Sequence, residues 1–197
     1  LKESQHAEEQ KLGYVYEFYQ DYLFATNVMD FDDLLLQTLK LFREFPEVLN
    51  VFQERYRYLM VDEFQDTNYV QMEIVNLVAG ETQNLCVVGD DDQSIYSWRG
   101  AEVENILNFP NNYRDCKLIK LEQNYRSTNH ILKSANKLIA VNSDRHDKNL
   151  WSGNGDGETV KVVKAQSAEK EGMWVAQVIA EKKARREFNY GEIAILY

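Results

Sequence analysis

An α/β fold with a largely parallel sheet is what this sequence predicts, and three observations predict it. Short apolar runs bounded by turns alternate with segments of helical periodicity. Two of those runs end in acids, YLMVDE at 58–63 and LCVVGDDD at 85–92. The residues before them read as helices alone. In open sheets of this kind, ligands sit beyond the C-terminal strand ends, where these acids fall.

The elements follow in order. Val15, Phe18, Tyr19, Tyr22 and Leu23 recur at helical spacing and predict a helix over 5–24. A turn at 27–30 ends on Asp30, a good N-cap for FDDLLLQTLKLFREF, which stops before Pro46. Pro46 suits the first turn of a short helix to about Arg55. YRYLMVDE is a buried strand, 69–79 a helix closed by Gly80, and LCVVGDDD a second buried strand. KLIKL at 117–121 is read as a strand and 129–141 as a helix. The polar stretch 142–158, with SGNGDGE, is a connecting segment. ETVKVVKA is a strand, 167–186 a long helix and EIAILY a final strand. No internal repeat is present.

The chain has 197 residues and 44% apolar content, enough for a core and too much for a disordered chain. No apolar run reaches the length of a membrane helix, and LKESQHAEEQK has no basic-then-apolar signal pattern. Two cysteines, Cys86 and Cys116, fit reduced thiols and a cytoplasmic protein. The missing initiator Met, and a stop at Tyr197 just after a strand, read as marks of a fragment. A net charge of −10 counts against a free-standing nucleic-acid binder. It leaves room for a motor that grips nucleic acid through a few local contacts and stacking rings.

Asp62 and Glu63 stand together where an apolar strand gives out. One Asp, with nucleotide phosphates, suffices to hold Mg²⁺, which keeps several waters. A second carboxylate can orient and deprotonate an attacking water. This is the Walker B arrangement of nucleotide hydrolases, although acids at strand ends are common as solvated loop charges. Asp90, Asp91 and Asp92 read as a solvated turn that helps position Gln93, with a second metal site as the alternative. Trp151 and Trp174 read as core residues and Tyr96 as a packing residue. His6, His130 and His146 show no ligand spacing.

Three strings in order change the odds: DEFQD at 62–66, VVGDDDQSIYSWRGA at 87–101 and LEQNYRS at 121–127. They resemble motifs II, III and IV of superfamily 1 DNA helicases of the Rep/UvrD/PcrA group. MDFDDLLLQTLKLF, KNLWS and EIAILY resemble stretches of the same family, so the resemblance spans 29–197. GDDDQSIYSWRGA is closest to the Rep variety. The resemblance implies RecA-like P-loop NTPase layers, incomplete, with N-terminal helices. It divides the chain into the end of a helical insert at 1–28, the later part of a first RecA-like domain at 29–124, and a hinge with the opening of a second at 125–197.

It also implies roles. Asp62 and Glu63 would serve the metal, with Glu63 the general base. Gln93 would sense the γ-phosphate, Tyr125 would stack on adenine and Arg126 would act as an arginine finger. Trp98 and Arg99 would face single-stranded DNA. The implied cofactors are ATP and Mg²⁺. The implied partners are single-stranded DNA, duplex junctions and repair or replication proteins, with no membrane. The activity implied for the parent protein is ATP-driven 3′ to 5′ movement and unwinding. None of the nine glycines is followed by Lys, so G-x-x-x-x-G-K-[ST] is absent, and SGNGDG is no substitute. The chain alone is therefore expected to hydrolyse ATP hardly at all. Alternatives are the motor of a RecB/AddA-type helicase–nuclease, a metal-dependent nuclease or phosphatase using Asp62, Glu63 and Asp90 to Asp92, and a non-catalytic DNA- or partner-binding module.

Overall fold

The computed structural model describes residues 6–113 and 115–197. It divides into two compact units, residues 1–121 with 139–148, and residues 122–138 with 149–197. Each is described by itself.

The first unit begins with three helices, α1 (Ala7–Thr26), α2 (Phe31–Glu44) and α3 (Pro46–Arg55). The expected start of α1 at residue 5 lies outside the described residues. Asp30 caps α2 as the sequence suggests: its Oδ1 accepts from the Asp33 N–H at 2.9 Å, and Asp33 accepts from the Asp30 N–H at 3.2 Å. The Tyr19 hydroxyl donates to Asp30 at 2.9 Å and so ties α1 to the start of α2. The Asp33 N–H, then the Tyr19 hydroxyl, hold the Asp30 carboxyl below its ordinary range. The expected apolar face of α1 is covered only at Leu23; Val15, Phe18, Tyr19 and Tyr22 are exposed. Pro46 sits in the first turn of α3, where its missing N–H costs nothing. Phe42 of α2 is buried and meets Phe52 of α3 edge-on at 5.0 Å.

Strand β1 (Leu59–Val61) pairs in parallel with β2 (Leu85–Val87), and α4 (Tyr69–Ala79) is the crossover between them. Asn68 caps α4 through a reciprocal pair with Gln71, and Gly80 ends it at φ 55°, a backbone angle suited to glycine. The strands are shorter and less buried than the sequence suggests. Met60 and Cys86 point outward and are exposed, while their neighbours are half-buried. This is the alternation of a sheet covered on one face. Two short helices follow, α5 (Glu104–Leu107) and α6 (Phe109–Asn112). Phe109 packs edge-on against Phe64 at 5.4 Å, and Phe64 is fully buried.

In the second unit, α7 (Asn129–Ile139) buries Leu132. Asn129 and Asn136, two turns apart on one face, each exchange a reciprocal pair of hydrogen bonds with one backbone residue. They strap Leu150 and Ser152 of the KNLWS segment to the helix. Ser167 caps α8 (Ala168–Ala184), which has no buried residue.

Three expected strands do not form: 117–121, 158–165 and 192–197 have no ladder among the described residues. Strand propensity gives a strand only when a neighbour's N–H and C=O groups meet it. Trp151 and Trp174, expected in the core, are 50% and 42% exposed. Trp151 is held by its backbone, which bonds Glu122 and Asn124. No helix among the described residues is long and apolar enough to cross a membrane.

Candidate active site

The β1–β2 ladder extends past both strands. Val88 N–H donates to Val61 O at 2.8 Å, and Phe64 N–H donates to Val88 O at 3.0 Å. These bonds bring the two acidic turns side by side. Asp62 and Glu63 leave β1 and are exposed. Glu63 adopts a left-handed backbone at φ 50°, uncommon for a residue other than glycine and frequent at functional sites. Its backbone N–H meets Asp62 Oδ1 at 2.9 Å.

Directly after this kink the chain dives inward. Phe64 and Gln65 are buried, and Thr67 closes the turn by donating to Phe64 O at 2.7 Å. Asn105 and the Glu102 N–H bracket the turn by donating to Thr67 O. Asp66 keeps one buried oxygen, Oδ1, without a partner among the described residues.

Gln65 joins the two turns. Its Nε2 donates to Glu63 Oε2 at 2.8 Å, and its Oε1 accepts from the Asp90 N–H at 3.0 Å. Asp90 Oδ2 in turn accepts from Gln93 Nε2 at 2.7 Å. Glu63, Gln65, Asp90 and Gln93 thus form one continuous hydrogen-bonded run. Gly89 permits it, because a Cβ there would lie 2.6 Å from Gln65 Oε1 and 3.1 Å from the Phe64 backbone nitrogen.

Asp90, Asp91 and Asp92 are not the solvated turn read from the sequence. Asp91 and Asp92 are 4% and 12% exposed at the side chain. Arg145 grips Asp92 through two bonds of 2.8 and 2.7 Å. Lys148 reaches Asp90, Asp91 and Asp92 at 2.5, 3.0 and 3.1 Å. The Arg145 hydrogen bonds, then Lys148, hold the Asp92 carboxyl below its ordinary range although burial opposes them. Burial pulls the Lys148 amine down, but its bonds to the three carboxylates prevail and raise it. With Arg145 and Lys148 already bonded to these oxygens, the cluster has few left to offer a second metal.

The SWRG turn presents Trp98, 73% exposed, with the Arg99 guanidinium 4.6 Å from its ring centre and 5.5 Å from that of Tyr96. Tyr96 lies 6.4 Å from Trp98 and is itself partly exposed. This is an open aromatic–cation platform.

In the second unit, Tyr125 and Arg126 occupy an exposed turn. Asn124 Oδ1 accepts from the N–H groups of Arg126 and Ser127 at 3.0 and 2.8 Å. Asn154, from the SGNGDG stretch, donates to Tyr125 O at 3.0 Å. That glycine-rich stretch is therefore a brace for the turn. The structure gathers Asp62, Glu63 and Gln93 in the first unit, with Trp98 and Arg99 on the same segment as Gln93, and places Tyr125 and Arg126 in the second.

A family model described as the UvrD/REP helicase N-terminal domain matches residues 1–114. The chain belongs to the UvrD/REP helicase family. The model of the UvrD-like helicase C-terminal domain matches residues 119–197 of this family member. Among its relatives, an ATP-dependent DNA helicase PcrA of Staphylococcus epidermidis is 45% identical over 196 residues, which is 100% of this chain and 27% of the relative. A probable DNA helicase II homolog of Rickettsia felis is 48% identical over 182 residues, 92% of this chain and 28% of the relative. The chain thus spans little more than a quarter of the length of these curated relatives.

Gln65, Arg145, Lys148, Asn124 and Asn154 went unnoticed in the sequence. For Arg145 and Lys148 the sequence carries no local signal, since they lie 53 to 58 residues from the acids they meet. For the amides there was none, since Asn and Gln in turns are commonplace.

Proposed function

We propose that this chain is part of an ATP-dependent DNA helicase that moves 3′ to 5′ on single-stranded DNA and opens duplex junctions, with both units belonging to RecA-like layers. In this reading 1–28 ends a helical insert, 29–124 completes a first RecA-like domain, and 125–197 opens a second. The protein would act in the cytoplasm beside repair or replication proteins.

The observation that carries the reading is the hydrogen-bonded run from Glu63 to Gln93, which joins a candidate base to a candidate phosphate sensor. The exposed carboxylate of Asp62 at a strand end suits Mg²⁺, a hard cation that needs few protein oxygens. Held there, Mg²⁺ would supply charge neutralisation to the nucleotide phosphates. Glu63 takes the proton of the attacking water. Gln93 offers an amide that accepts from that water and donates to a γ-phosphate oxygen. Tyr125 stacks on adenine and Arg126 stabilises charge on the transferring group. Trp98 supplies a sequence-blind stacking face for a base, and Arg99 a phosphate contact. Gln93 and Trp98 share one short segment, so a change at the nucleotide can be felt at the DNA.

The test uses the full-length parent protein on a partial duplex. DNA-stimulated phosphate release and strand separation are expected, both abolished by EDTA. Mg²⁺-dependent DNA cleavage without nucleotide would instead favour the nuclease reading and overturn this one.

A further inference from the structure

We propose that Gln65 is a positioning residue that fixes the Glu63 carboxylate against the Asp90–Gln93 turn, so that base and phosphate sensor are set by one buried amide. The inference rests on the reading of Glu63 as the base. Glu63 itself is exposed and sits at the end of a strained backbone turn. Left alone, such a carboxylate would sample several rotamers. Gln65 is 1% exposed and uses both ends of its amide, one on Glu63 Oε2 at 2.8 Å and the other on the Asp90 N–H at 3.0 Å. Its backbone adds a third tie, as Ser94 Oγ donates to Gln65 O at 3.4 Å. The amide cannot drift, because Gly89 packs closely upon it.

The chemistry requires an amide here. A carboxylate at 65 would repel Glu63, and an apolar isostere would leave both Glu63 and the Asp90 N–H without this partner. A shift of the Asp90 N–H also moves the carboxylate that holds Gln93. Loss of the strut therefore disturbs base and sensor together, while Asp62 keeps its own place after β1.

The experiment measures single-turnover ATP hydrolysis and nucleotide affinity in the full-length parent protein, with rates normalised to titrated nucleotide sites. Gln65→Met keeps the volume and removes both bonds. Gln65→Glu keeps the acceptor for Asp90 and removes the donor to Glu63. Misplacing a reacting group by about 1 Å costs on the order of 100-fold, so each variant should lose about 10- to 100-fold in hydrolysis rate. Nucleotide Kd should shift by much less than the rate, since Gln65 itself touches no nucleotide. A residue that merely stabilises the fold would lower the melting temperature and leave the rate per titrated site intact. If Gln65→Met does not fold, Gln65→Glu carries the test. Rates near wild type in the folded variants, while Glu63→Gln is inactive, would overturn the role of Gln65 alone. An active Glu63→Gln would overturn the reading beneath it.

Discussion

The two acidic turns of the first unit and the Tyr125–Arg126 turn of the second are built on opposite plans. The acidic turns rest on paired strands, and a buried phenylalanine and a buried glutamine lie directly beneath them. The Tyr125–Arg126 turn rests on asparagine side chains that cap its backbone groups, and Tyr125 is 77% exposed. Proton transfer demands placement to a fraction of an ångström, which a packed bed supplies. An arginine finger or a stacking ring tolerates a looser base, because its own length and planarity do the reaching.

This contrast can be broken at several points. The largest effect is expected at Arg126→Ala, where arginine fingers contribute roughly 10³–10⁵ in rate. Steady-state phosphate release by the parent protein measures it, and a rate within a few-fold of wild type would remove Arg126 from the nucleotide. Next come the two cores. Phe64→Ala should cost about 3–5 kcal/mol and Leu132→Ala about 2–5 kcal/mol, read by denaturant unfolding. A negligible change at either would show that burial at that position contributes little.

The smallest effect is a pH dependence at the Asp90–Asp92 turn of the first unit. The Asp92 carboxyl is held low, so its contribution to stability is complete above about pH 4 and lost as pH falls through its lower native value. Arg145→Met should make the acid limb of a stability-against-pH curve shallower. An identical slope would mean that the Arg145–Asp92 pair does not set it. The second unit has no such buried ion cluster among the described residues, and its acid limb should not respond.

Helices were legible because their signals are local. Asp30, Pro46 and Gly80 each act within one turn, and the boundaries of α2, α3 and α4 follow them closely. Strands were legible only where partners meet: LMV and LCV pair, whereas ETVKVVKA carries the same propensity and pairs with nothing among the described residues. The placement of Asp62 and Glu63 after a strand could be read because an apolar run ending in acids is a local pattern. The charge cluster around Asp92 could not, since Arg145 lies 53 residues away. Gln65 was hidden for another reason: a buried amide is recognisable only once both of its partners are in place.

The most direct measurement is nucleotide binding and turnover by Glu63→Gln in the full-length parent. An amide keeps the shape but cannot take a proton from water. ATP should bind with near-normal affinity and remain uncleaved, with turnover reduced by about 10²–10⁴-fold. Hydrolysis at close to the wild-type rate would contradict the assignment of proton transfer to the carboxylate that follows β1.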